Sequence, residues 1–68
     1  MRFKCKPSSH GMFIIGKETR VSIILKPKQV WEFYYSVEDD VYVVTRDNVS
    51  ISLTSKDFNT YFVKLGWE

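Results

Sequence analysis

The sequence predicts a mainly β fold, a small antiparallel barrel of about five strands with one short helical turn near the C-terminus. Three observations carry that expectation. Short runs rich in Val, Ile, Tyr, Phe and Trp recur along the 68 residues. Clusters of Gly, Pro, Asp, Asn and Ser separate those runs. One stretch near the end repeats its aromatic residues at helical spacing.

The first run, Arg2 to Lys6, alternates cleanly. Phe3 and Cys5 fall on one side and Arg2, Lys4 and Lys6 on the other, as in a half-buried strand. Pro7-Ser8-Ser9-His10-Gly11 breaks it with loop-forming residues. Met12 to Ile15 is apolar and ends at the turn signal Gly16-Lys17-Glu18. From Thr19 to Leu25, Val21, Ile23 and Leu25 share a face. Ile24 joins Arg20 and Ser22 on the other, so the alternation is imperfect. Lys26-Pro27-Lys28 ends the run, because proline lacks the N–H that a sheet ladder needs.

Val30 to Leu53 then reads as a three-stranded meander whose register the sequence specifies. A two-residue turn at Asp47-Asn48 pairs Val44 with Ile51 and Tyr42 with Leu53. Both turn residues tolerate positive φ, which suits a type I′ turn. A connection at Val37 to Asp40 sets Ser36 opposite Val41 and Tyr35 opposite Tyr42. The two turns together collect Trp31, Phe33, Tyr35, Tyr42, Val44, Val49, Ile51 and Leu53 into one apolar surface, which is the expected core. A slip of one residue in either hairpin would break it. The opposite face, with Tyr34 beside Val43 and with Val41 nearby, is less polar than a solvent face should be. Either the chain covers it or something binds there.

In the tail, Thr54 suits a helix N-cap, and Asp57 suits the positive end of the dipole. Phe58, Tyr61 and Phe62 then make an aromatic stripe whose ordinary role is core packing. Val63-Lys64-Leu65 suits a short last strand.

Composition limits what such a fold can do. A chain this short makes one domain, residues 1–68, with a thin stability margin. Its single cysteine, Cys5, allows no disulfide within the chain and fits a reducing cytosol. With His10 the lone histidine, a Cys/His zinc site is excluded, and no metal or other cofactor is expected. No apolar run is long enough to span a membrane, and MRFKCKPSSHG lacks the apolar segment of a signal peptide. Cys5 and His10 have no evident catalytic partner and Asp39-Asp40 reads as a turn, so no enzymatic activity is expected. Charge is uneven: residues 1–28 carry seven Lys or Arg against Glu18 alone, and residues 29–68 carry three against seven acids. Such a distribution steers a charged partner, aligns two copies, or neutralises itself within the fold.

Lys4-Cys5, the segment from Phe13 to Gly16-Lys17, the hairpin from Asp40 to Asn48, and Ser55 to Phe62 together resemble a group of short SH3-like small-barrel proteins scattered through phage and prophage genomes. The resemblance covers most of the chain but rests on structural pattern alone. Thr19 stands where such proteins usually have a tyrosine after Gly-Lys, and the middle strand is longer and more aromatic. It implies a five-stranded SH3-like barrel and a phage-encoded accessory protein in the host cytoplasm.

The expected function is therefore that of a small protein-binding module, an inhibitor or modulator of a host or defence protein that acts by covering a surface. Tyr34, Val41 and Val43 are its candidate anchors, and Glu38, Asp39 and Asp40 its acidic rim. Homo-oligomers through the same face are compatible with this. The alternative is a single-stranded nucleic-acid-binding barrel that uses Lys4, Lys6, Lys17, Arg20, Lys26 and Lys28 for phosphates and Tyr34 or Trp67 for stacking.

Overall fold

The computed structural model describes residues 3–67, and side chains for residues 3–65. Arg2 and the Trp67 side chain, both invoked above, lie outside those bounds. The chain runs β1 (Phe3–Pro7), β2 (Gly11–Ile15), β3 (Val21–Leu25), β4 (Trp31–Ser36), β5 (Val41–Arg46), β6 (Val49–Leu53), α1 (Ser55–Tyr61) and β7 (Phe62–Trp67). The fold is mainly β with one short helix near the C-terminus, as expected. The barrel expectation needs correction. Among the described residues there are seven strands rather than five, in a five-stranded sheet ordered β6-β5-β4-β1-β7 and a separate β2-β3 pair. The sheets do not close, so β6 and β7 remain edges.

The meander has the register that its two turns dictate. Tyr35 pairs with Tyr42, Ser36 with Val41, Tyr42 with Leu53, and Val44 with Ile51. Turn chemistry differs in one detail. Asp47 adopts a φ of 53° but Asn48 stays outside the left-handed region. That is the φ pattern of a type II′ turn rather than I′. Asp40 likewise takes a φ of 53° at the end of the β4–β5 connection, a conformation in which Asp is among the few tolerated residues.

Beyond the meander, β1 enters the sheet between β4 and β7. Phe3 pairs with Phe33 and Cys5 with Trp31 on one side, and Pro7 pairs with Phe62 on the other. A register shift between Lys4 and Cys5 sets Leu65 in a bulge of β7.

The core lies between this sheet, the β2–β3 hairpin and α1. Cys5, Ile15, Leu25, Trp31, Val44, Ile51, Leu53, Phe58 and Phe62 form it, with Phe13, Ile23, Phe33, Tyr42 and Tyr61 packed against them. Phe58 is its centre. Its ring stacks on Tyr42 with centroids 4.2 Å apart and sits 5.0 Å from Phe33. Thr54 caps the helix that delivers this ring, its hydroxyl oxygen accepting from the Asp57 N–H at 3.1 Å. Tyr61 meets Phe13 at 5.1 Å and so joins the helix to the hairpin. The sequence-derived core holds except at its rim, where Tyr35 and Val49 are exposed.

Candidate functional site

Among the described residues no group of three or more metal-binding side chains forms. Reactive groups are equally sparse. Cys5 is fully buried, and burial pushes its thiol up to about 12, so it is an apolar packing residue rather than a nucleophile. What the molecule offers is surface, in three places.

The first is the outer face of the five-stranded sheet, where the sequence placed its anchors. Tyr34 is 55% exposed, but Val41 and Val43 are 5% and 8% exposed and cannot serve as accessible anchors. Val41 lies at the start of β5, beside residues 17–19 of the hairpin tip. β5 is an interior strand, so Val43 sits between Tyr34 of β4 and Ser52 of β6, its cross-strand partners. Lys4 pairs across to Glu32 on this face, with 4.0 Å between their charged atoms.

The second is the β4–β5 connection. Glu38, Asp39 and Asp40 are exposed there, but two of them are engaged in building the turn. Asp40 accepts a hydrogen bond from the Tyr35 hydroxyl, which holds that phenol above its ordinary range. The Asp39 N–H donates to Ser36 Oγ at 3.4 Å, and its carbonyl accepts from Lys17 Nζ at 3.4 Å. The rim is thus mainly a turn, tied to the tip of the β2–β3 hairpin. That tip also donates the Lys17 N–H to the Ser52 carbonyl on the edge of β6 at 2.8 Å. Residues 17–19 and Val21 line an open groove of about 490 Å³ with Asp39, Val41 and residues 50–52.

The third surface was not among the sequence-derived candidates. β2 and β3 pair Met12 with Ile24, Ile14 with Ser22 and Phe13 with Ile23. One face of the hairpin, with Phe13, Ile15, Ile23 and Leu25, packs into the core. The other carries Met12, Ile14 and Ile24, which are 69%, 59% and 50% exposed. The signal was present as the imperfect alternation at Ile24 and the unbroken run from Met12 to Ile15. Either is as consistent with a strand covered on both faces, so alternation alone could not assign the outer face to solvent.

The six cations of the nucleic-acid alternative are dispersed. Lys4 and Lys6 lie on β1. Lys17 and Arg20 lie at the hairpin tip, where Arg20 donates to the carbonyls of Gly16 and Ile14 at 3.2 and 2.6 Å. Lys26 and Lys28 follow the opposite end of the hairpin. No known protein family, curated protein or solved structure matches the chain.

Proposed function

We propose that the protein is a non-enzymatic binding module that acts by covering a surface on another protein. The observation that supports this best is the outer face of the β2–β3 hairpin. Met12 and Ile24 are direct cross-strand partners and Ile14 adjoins them, so three large apolar side chains form one exposed patch. Fully burying one such side chain is worth about 1.5–3 kcal/mol, a gain that a partner surface would supply here. The core does not require these residues, since the hairpin packs through its other face.

The finer reading of the fold is an open SH3-like arrangement. A five-stranded main sheet and a helix placed just before the last strand support it. Taken with the resemblance to short phage and prophage proteins, the proposal extends to a phage-encoded accessory protein. It would act in the host cytoplasm as an inhibitor or modulator of a host or defence protein. A second copy of the chain is one partner the patch would accept.

The test is affinity capture from the native host with wild type and with a Met12→Lys/Ile24→Lys variant, alongside sedimentation of both. The reading expects the variant to keep the wild-type thermal midpoint and to lose the retained protein, or the self-association. Equal retention by the two proteins counts against it.

One observation favours the nucleic-acid alternative. β1 lies beside β4, so Lys4 and exposed Tyr34 share a sheet face although they are distant in sequence. Oligonucleotide binding that weakens steeply between about 50 and 200 mM salt would support that reading, and salt-insensitive or absent binding would remove it.

A further inference from the structure

The apolar patch on the outer face of the β2–β3 hairpin is bounded by cations. Arg20 lies just before β3, and its guanidinium donates to the carbonyls of Ile14 and Gly16 at 2.6 and 3.2 Å. These bonds fasten a positive charge beside Ile14, one of the three exposed apolar residues of the patch. They use only part of the guanidinium's donor set, and Arg20 is itself exposed. At the opposite end of the hairpin, His10 and Lys26 stand one residue beyond the Gly11–Leu25 pair, which adjoins Met12 and Ile24. Both are exposed.

Carboxylates are scarce around this face. Glu18 is the one acid in residues 1–31. Among the described residues no carboxylate pairs with Arg20. The face therefore combines a fixed arginine that lacks a counter-charge with apolar side chains that lack cover. We propose that it binds a partner protein whose contact surface sets carboxylates beside an apolar centre. A carboxylate accepts from the remaining guanidinium N–H groups of Arg20, and the apolar centre covers Met12, Ile14 and Ile24. An arginine already held by two main-chain carbonyls loses little freedom on binding, so it acts as an anchor rather than a loose rim charge.

Charge selects among the occupants that an apolar patch alone would accept. A second copy packed face to face would set Arg20 and Lys26 against the same cations. A nucleic-acid strand would satisfy Arg20 but leave three apolar side chains against sugar and phosphate. The inference rests on the protein-binding reading and adds to it the sign of the charge that the partner carries.

The test is selection of a ribosome-displayed random peptide library on the immobilised protein, followed by calorimetry of the enriched peptides. They should carry Asp or Glu next to Leu, Ile or Phe. Their affinity should fall about tenfold or more for Arg20→Gln, fall less for Arg20→Lys, and be lost with Met12→Ser/Ile24→Thr. Enriched peptides that lack acids, bind Arg20→Gln as well as wild type and fail on the double variant would overturn the charge assignment. The protein-binding reading would then survive. No enrichment, or binding indifferent to every variant, would overturn both. Self-association abolished by the double variant, or displacement of the peptides by oligothymidine, would give the face to another occupant and overturn the proposal. Unfolding of both Arg20 variants would make the arginine a clamp of the fold alone, with the same consequence.

Discussion

Cys5 shows how burial sets the chemistry of a single residue here. Its thiol ionises at about 12 in the folded chain, against an ordinary value of 9.0, because the pocket disfavours the charged form. Below pH 9 neither state ionises, so stability is unaffected. As pH rises from 9 towards 12 the unfolded chain loses this proton and the folded chain keeps it, so stability falls across that window. Denaturant titrations should show a steeper alkaline loss for wild type than for Cys5→Ala, and parallel curves would count against this account. Val43 makes the complementary point. At 8% exposure it leaves no room for a solvated carboxylate, so Val43→Glu should cost roughly 3 kcal/mol or more in a chemical unfolding curve. A variant as stable as wild type would return Val43 to the accessible surface.

Among the elements, the β2–β3 hairpin depends on one backbone conformation. Gly16 has a φ of 128°, and a Cβ there would lie 2.4 Å from the Thr19 carbonyl oxygen. Gly16→Ala should therefore destabilise by about 2 kcal/mol or more and release the tip from β6, seen as faster amide exchange at Lys17. Unchanged exchange there would contradict the role given to this turn. Gly16 was legible in the sequence as a turn, and the meander registers were legible because two short turns fix them. The Thr54 cap was equally plain, as a Thr three residues before an Asp. Which face of the hairpin meets water was not legible, because Met12 to Ile15 is apolar throughout. Nor was the burial of Val41, which lies beside the hairpin tip, or of Val43, which is flanked by Tyr34 and Ser52 on an interior strand.

On the scale of the whole molecule, the pairings hardest to read were those of β1 with β4 and β7, which join residues far apart in the chain. Local alternation carries no information about such partners, so the open two-sheet arrangement was read as one small barrel. These pairings also mix the basic and acidic halves of the chain. Lys4 meets Glu32 across β1 and β4, so part of the charge asymmetry is offset within the fold. The remaining distinctive surface is apolar, on the outer side of the hairpin. A photo-crosslinkable residue placed at Ile14, and separately at Tyr34, in the cell that encodes the protein tests this most directly. A covalent protein adduct from position 14, absent in the Met12→Lys/Ile24→Lys background, is the predicted result. An adduct from position 34 with none from position 14 would contradict it.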